Sequence, residues 1–398
     1  MDAMDADVLV VGGGPAGAAT ALLLARGGHR VALVDRARFP RPKPCGEYLN
    51  PAAVAVLARL GLAAEVAASG ARLSGMFIAG PDGTSVWAPF TSGCGMLIPR
   101  ERLDHALLRA AAAAGADVRE EVRVDAVRPA ADGRPPAVEA RTRGGPVVLS
   151  ARLIVGADGL RSVVARAHGP LPPPRRGRYT LGARFEGIEA PAPRGDLHLG
   201  RGWYAGAALY GGGAGHVVIA ADRAVLRRAS GDLDRAFAAA CRRLPVLAGM
   251  MAAARRVTPF ASVGPLGFAR RPVCGPGVLL VGDAAGTIDP MTGEGLALAL
   301  RGAEVAARAA AEHLAGVPWR QTLRGYERAR ARASADTWRL GRLLQWIVRH
   351  PTLAAWCLRR LADDAAGARA LLAAVSGLRP AGEVLSARFA ARLAIGAR

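Results

Sequence analysis

Asp7–Val11 and Val31–Val34 are short apolar runs, and Pro15–Arg26 between them is rich in alanine and leucine. Unbroken apolar runs of this length predict buried strands, and the stretch between them predicts a helix. Together they form a strand–helix–strand unit of a doubly wound sheet. Residues 39–51 are rich in proline and glycine and predict a loop. Ala52–Leu60 and Arg100–Ala114 predict helices, the second with Leu103, Leu107 and Leu108 at helical spacing. Val118–Val127, Ala137–Thr142 and Val147–Ala151 predict a small antiparallel layer with turns at Asp132-Gly133 and Gly144-Gly145. Leu153–Val155 predicts a separate buried strand, and the proline-rich Pro170–Arg176 a boundary. Between Tyr179 and Ala221 come several strands with glycine turns: Leu181–Phe185, Leu197–Leu199, Trp203–Leu209 and His216–Ala220. Gly277–Val281 returns to the parallel type, a long helix follows from about Gly293 to Leu314, and residues 319–398 are helical.

With 398 residues, 51% of them apolar, the chain has room for a nucleotide-binding domain and a smaller partner domain. It contains no apolar run long enough to span a bilayer. The first residues, Met1 to Asp5, are acidic and lack the basic start of a secretory signal, so a cytoplasmic location is expected. The five cysteines are scattered and odd in number, and no pair has metal-ligand spacing. Neither a disulfide framework nor a metal site is expected, and most of the thiols read as buried.

The net charge of +21 raises the question of nucleic acid. The basic residues are arginines apart from Lys43, which in so alanine- and glycine-rich a chain points to base-composition bias in the gene. No basic run is interleaved with aromatics and no nucleic-acid motif is present, so nucleic acid is set aside as a partner. The last eighty residues carry 15 arginines against 5 acids, a net +10, with Trp338, Leu343, Leu344, Trp346 and Ile347 among them. Such basic amphipathic helices either pack on the body of the protein, their arginine stems covering apolar surface, or make peripheral contact with an anionic membrane. Packing is the commoner arrangement.

The chemistry begins at Gly12-Gly13-Gly14-Pro15-Ala16-Gly17, between the first strand and the first helix. Gly12 permits a tight turn, Gly14 lets a pyrophosphate approach the backbone, and Gly17 lets helix and strand pack closely. The helix opening at Pro15 and Ala16 offers free N–H groups to phosphate. Asp35, at the end of the second strand, can accept from ribose hydroxyls, with Arg36 beside it. This motif alone does not separate one dinucleotide from another. Two later segments do: Gly156-Ala157-Asp158-Gly159-Leu160-Arg161-Ser162, and Gly282-Asp283-Ala284-Ala285-Gly286 running on through Asp289-Pro290-Met291-Thr292-Gly293-Glu294-Gly295-Leu296.

In this order, the three segments resemble the aromatic-ring hydroxylase and geranylgeranyl reductase superfamily of FAD enzymes, over about residues 5–315. The resemblance implies an α/β fold: a Rossmann-like FAD-binding domain, an inserted mixed β-sheet substrate domain and a helical C-terminal segment. The FAD-binding domain would comprise 1–70, 95–170 and 272–318, the substrate domain 71–94 and 171–271, and the tail 319–398. It further implies FAD as cofactor, with Asp158, Gly282 and Asp283 near the ribityl chain and pyrophosphate. Arg100 would also lie by the pyrophosphate, the Val124 backbone by the adenine, and Pro290, Gly293, Gly295 and Leu296 beside the isoalloxazine ring. A helix N-terminus there suits a reduced, anionic flavin.

The loop Pro42–Pro51 contains Cys45-Gly46-Glu47, which looks like the reductase branch. The family places this loop by the flavin, so Cys45 and Gly46 would meet the cofactor, and Cys45 and Glu47 are candidate catalytic groups. A structural thiol is the alternative for Cys45. Isoprenoid reductases carry Tyr-x-Trp-x-Phe-Pro on the inserted sheet. In the matching region, Gly202–Leu209, Tyr204 keeps the tyrosine and is the third catalytic candidate, but the Trp and Phe-Pro are absent. The halogenase signature Trp-x-Trp-x-Ile-Pro is also missing, and Gly286 stands where phenol hydroxylases have histidine.

The first expectation is therefore a monooxygenase dependent on dioxygen and transiently bound NAD(P)H, oxidising a lipophilic aromatic or polyketide-like small molecule. The alternative is a reductase of isoprenoid or quinone-tail double bonds. His198, His216, Tyr204 and Tyr210 on the inserted sheet are weighed as catalytic groups against plain structural roles, and Arg184 as a guide for an anionic substrate or nicotinamide phosphate.

Overall fold

The computed structural model describes residues 6–167, 177–191, 193–223, 232–269 and 272–395. The acidic N-terminal residues and the proline-rich boundary at 170–176 lie outside the described residues. Strand β1 (Ala6–Val11) runs through a parallel sheet, paired on one side with β2 (Val31–Val34), which pairs in turn with β8 (Asp117–Arg119). On the other side lie the end of β11 (Gly145–Gly156) and then β18 (Val278–Leu280). Val8, Leu9 and Val10 have no exposed surface, as expected of a sheet covered on both faces. Helix α1 (Pro15–Arg26) packs against α4 (Arg100–Ala113) and α8 (Gly295–Leu314).

Two strand boundaries differ from the sequence reading. Val147–Ala151 and Leu153–Val155 are one strand, β11. Its first half pairs antiparallel with β10 (Ala137–Thr142) and its second half parallel with β1. Arg152 is exposed, with its guanidinium reaching the Leu314 carbonyl oxygen at 3.4 Å, and nothing between the halves interrupts the ladder. Conversely, Val118–Val127 splits into β8 and β9 (Arg123–Arg128) at Glu121, which takes a φ of 60°. The break frees Val122 to donate its N–H to the Asp35 carbonyl oxygen at 2.9 Å.

The second sheet is mixed. Its strands are β16 (Arg255–Arg256), β12 (Arg178–Glu186), β15 (Ala214–Asp222), β14 (Tyr204–Gly211), β13 (Arg194–Leu199), β5 (Gly75–Ala79) and β6 (Ser85–Pro89), in that spatial order, with β17 (Ala261–Leu266) on β12. The neighbours are antiparallel except β13 and β5. Period-two alternation sends Leu181, Ala183, Phe185, Ala205, Ala207, Val217 and Ile219 to one face. There they pack on α6 (Leu233–Cys241) and α7 (Pro245–Met250). Arg178, Arg184, Tyr204, Tyr210 and His216 take the opposite face, toward the nucleotide-binding sheet. A small sheet of β3 (Tyr48–Leu49), β7 (Gly95–Leu97) and β4 (Ala71–Leu73) joins the two bodies, with α2 (Pro51–Arg59) and α3 (Ala63–Ser69) between its strands in sequence.

The C-terminal helices are α9 (Trp319–Val348), α10 (Pro351–Ala362), α11 (Ala365–Val375) and α12 (Ala387–Ile395). α9 packs along α8, burying Thr322, Tyr326 and Thr337, while Leu340 further on packs with Ala374, Ala381 and Val384; the Tyr326 hydroxyl donates to the Leu280 carbonyl oxygen. Leu358 and Leu361 of α10 and Ala368 and Leu372 of α11 cover Val86 and Ala88 of β6. The cysteines correct one expectation. All five are free, but only Cys241 and Cys274 are buried; Cys45, Cys94 and Cys357 are half-buried. Among the described residues no helix is long and apolar enough to cross a membrane, and no cluster of side chains could hold a metal.

Candidate active site

The glycine turn is shaped by backbone contacts. Gly12 has a φ of 107°, and a Cβ there would lie 2.5 Å from the Ala157 carbonyl oxygen. At Gly17 it would lie 1.9 Å from the Gly12 carbonyl oxygen. Gly14 is different: a Cβ would meet only the Arg41 guanidinium, at 3.8 Å, so the space before it is open. No side chain caps α1 at Gly14, and Pro15 occupies its first turn, which leaves free N–H groups facing that space. Asp35 accepts from the Gly13 N–H at 2.7 Å and the Ala37 N–H at 2.8 Å, fastening the turn to the end of β2. Arg36 is exposed beside it.

Three cations gather at the mouth of this turn. Arg100, buried, pairs with Asp104 at 2.7 and 2.9 Å, and Arg41 reaches the same carboxylate at 3.4 Å. Burial and the neighbouring Arg100 push the Lys43 amine below its usual pKa, while Asp283 pulls it back. Burial raises Asp283 in turn, opposed by Lys43 and Arg100. Arg41, Lys43 and Arg100 thus outnumber Asp104 and Asp283 by one positive charge. An open turn, a free helix N-terminus and excess positive charge fit a dinucleotide pyrophosphate.

Two further residues of the expected site lie nearby in the fold. Asp158 accepts from the Val163 and Val164 N–H groups at 2.6 and 3.3 Å and so caps α5 (Val163–Arg166), leaving its Oδ1 buried and unpaired. The Val124 side chain is buried in β9, and Val122 is the residue tied to Asp35.

The Cys-Gly-Glu loop runs from the phosphate end to the start of α8. The Cys45 thiol lies against the Arg100 guanidinium. A Cβ at Gly293, whose φ is 64°, would lie 2.6 Å from the Tyr48 ring, so only glycine lets the loop close on this helix. Between these points sits Glu47, 3% exposed, with a φ of 58°. Its carboxylate accepts from Arg184 at 2.5 Å and from the Tyr210 hydroxyl at 2.7 Å. The His216 Nδ1 is 3.9 Å from the same carboxylate and has no hydrogen-bond partner. Burial holds His216 below its usual pKa, and burial together with Glu47 drives the Tyr210 phenol up. Arg184 also pairs with Glu101 at 3.0 Å, so its charge is already matched and it does not stand free to guide an anion. A cleft of about 460 Å³, lined by Ser69, Gly70, Pro99, Arg102 and others, reaches this cluster at Arg184 and Tyr210.

Tyr204, expected among the catalytic groups, is committed to a buried hydrogen bond. Its buried hydroxyl donates to Asp289 at 2.5 Å, and burial and that carboxylate keep it protonated. Arg178, 1% exposed, donates to the other Asp289 oxygen at 3.2 Å, to the Gly202 carbonyl at 2.7 Å and to Asp222 at 3.2 Å. Asp289 also accepts from the Met291 N–H at 3.1 Å, holding the turn Pro290–Thr292 that leads into Gly293, Gly295 and Leu296. Tyr204 and Arg178 are therefore positioning residues for that turn. Gly282 takes a φ of 61° beside Ala16, which brings Asp283 to the α1 terminus. Arg178 and Arg41 carry no signal in the sequence, and Asp289, though part of the third motif, is given no role by it.

A parallel sheet with a glycine turn, joined to a mixed sheet across a polar seam, defines a dinucleotide-dependent oxidoreductase. A family model described as FAD binding domain matches residues 5–193. The menaquinone reductase of Mycolicibacterium smegmatis is 34% identical over 331 residues, covering 76% of this chain and 75% of that protein. Among solved structures, the myxobacterial chondrochloren halogenase CndH has a TM-score of 0.77 at 28% identity, over 84% of this chain and 81% of its own. PqsL, a probable FAD-dependent monooxygenase from Pseudomonas aeruginosa, has a TM-score of 0.73 at 26% identity, over 88% and 98%. The chain belongs to the FAD-dependent oxidoreductase superfamily that includes menaquinone and geranylgeranyl reductases and FAD-dependent halogenases and monooxygenases. Its cofactor is FAD.

Proposed function

We propose that the chain is an FAD-dependent reductase that saturates a carbon–carbon double bond in a lipophilic isoprenoid or quinone-tail substrate. The carrying observation is the Glu47–Arg184–Tyr210 cluster at the seam between loop and sheet. Bound FAD, once reduced, supplies a hydride. An isolated double bond also needs a proton on its other carbon, and positive charge develops on the way. With Glu101, the cluster carries two carboxylates against one guanidinium, an excess of negative charge that favours such a centre. Tyr210 lies between Glu47 and the cleft, so a proton from solvent reaches Glu47 as the phenol hands one on and takes one up. Similarity to menaquinone reductase supports the same reading. The reductant that reloads the flavin, NAD(P)H, binds transiently in a chain with one glycine-rich dinucleotide motif.

The second reading is a monooxygenase acting on a bulkier aromatic or polyketide-like molecule. It is favoured by Gly206, on the sheet face turned to the seam, where a Cβ would meet nothing nearer than the Asp196 carbonyl at 3.9 Å. The similarity to PqsL and the halogenase supports it too. An anaerobic assay with chemically reduced enzyme and polyprenyl quinones separates the two. Saturated product without dioxygen is the expected result, and Glu47→Gln lowers its rate by about 10²–10⁴ with FAD content unchanged. Product that forms only in air, with oxygen incorporated, overturns the reductase reading.

A further inference from the structure

Helix α9 buries one face against the body; its other face is a ridge of arginines. At 3.6 residues per turn, the buried Thr322, Tyr326, Thr337, Leu340 and Val348 lie on one side of the helix. Exposed Arg320, Arg324, Arg328, Arg332, Arg339 and Arg342 fall opposite, within an arc of about 120°. Thirty residues at 1.5 Å each make this helix about 45 Å long. Trp346, 52% exposed, lies in the same arc near its C-terminal end.

The pairing of these arginines sets them apart from many others on the surface. Around the nucleotide-binding sheet, several exposed arginines meet carboxylates, Arg30 with Asp7, Arg59 with Glu304, Arg141 with Asp125 and Arg143 with Glu121, while unpaired ones such as Arg36 and Arg109 are not aligned in a row. On the ridge only Arg339 has a carboxylate partner among the described residues, Asp336 at 3.6 Å. The other five are left without one. Base-composition bias accounts for arginine in place of lysine. It does not account for six exposed arginines lined up on one side of a helix whose two acids, Glu327 and Asp336, fall at the margins of that arc.

We propose that this ridge is a docking surface for an anionic lipid bilayer. A straight row of unmatched charge fits a flat field of lipid phosphates, and an exposed indole at its end belongs at the headgroup level of a membrane interface. The proposal is compatible with the lipophilic substrate suggested above but does not depend on it, because binding is read without turnover. The α9 helix lies along the surface with its apolar face still packed on the body of the protein.

The test uses the full chain loaded with FAD and sedimented with vesicles at low salt. Vesicles containing phosphatidylglycerol retain the protein, pure phosphatidylcholine vesicles do not, and raised salt releases it. Arg324→Glu/Arg328→Glu/Arg342→Glu lowers the partition coefficient at least about tenfold, with FAD content and melting temperature unchanged. Trp346→Phe abolishes a shift in tryptophan emission that the parent protein shows on the vesicles. Equal retention on the two vesicle types, equal binding by the charge-reversed protein, or preferential capture by duplex DNA over the anionic vesicles overturns the proposal.

Discussion

The expected phosphate end and flavin end of the site are built by different means. At the phosphate end, backbone packs on backbone. Gly12 and Gly17, five positions apart, close on each other and on Ala157 at the end of β11, and side-chain charge is added around them. At the flavin end, the backbone turns at Asp289 and Glu47 are held by side chains from a different sheet. Tyr204 lies 85 residues from Asp289, and Arg184 lies 137 from Glu47. Steric closure tolerates no added atom but needs no charge balance. A buried polar seam tolerates modest changes of shape but no unpaired charge.

That contrast is tested first where the expected effect is largest. Arg178→Met keeps much of the volume and leaves Asp289 with only the Tyr204 hydroxyl and a backbone N–H inside the protein. Breaking a buried pair from one side costs about 3–5 kcal/mol, read as urea unfolding of the FAD-free protein. The FAD that the survivors bind will show a perturbed absorption band, because the turn leading into α8 is loosened. A loss below about 1 kcal/mol would mean that Asp289 is held by its turn alone. Gly17→Ala tests the other end. Its Cβ falls 1.9 Å from the Gly12 carbonyl oxygen, so helix and strand must separate, at a cost of about 3 kcal/mol together with FAD binding. Gly14→Ala is the control, since that Cβ meets nothing closer than 3.8 Å. It leaves the FAD-free protein as stable as before and weakens only FAD retention.

The two ends were also unequally legible in the sequence. The glycine turn and Asp35 lie within one strand–helix–strand unit, and most of their partners lie within it too, Ala157 behind Gly12 being the exception, so the pattern carries most of the geometry. Glu47 stood out through the Cys-Gly-Glu motif, but its partners did not, because Arg184 and Tyr210 belong to strands whose positions over the loop depend on the whole fold. Tyr204 reads as a catalytic candidate through its match to the reductases' tyrosine, and a motif match says nothing of the carboxylate that meets the hydroxyl in the fold. Arg178 and Arg41 were hidden by number: with 53 basic residues, nearly all arginine, one more arginine carries no signal. The long β11 and the divided β8 and β9 were misjudged because apolar runs report burial and not which neighbour each half pairs with.

The smallest expected effect concerns pH and lies at the flavin end, where α8 begins. Glu294 is 2% exposed; one carboxylate oxygen accepts from the Thr337 hydroxyl at 3.0 Å and the other is buried without a partner. Burial outweighs Thr337 and Arg301 and raises its pKa from 4.5 to about 7. The folded protein therefore holds a proton that the unfolded chain has released, and stability falls as pH rises from about 4.5 to about 7, then levels off. Glu294→Gln removes that slope. Its advantage over the parent protein grows from nothing near pH 4.5 to at most about 3 kcal/mol above pH 7 in urea unfolding. Parallel stability curves for the two proteins would show that the unpaired oxygen is solvated after all, and that the flavin end is less dependent on charge than its geometry indicates.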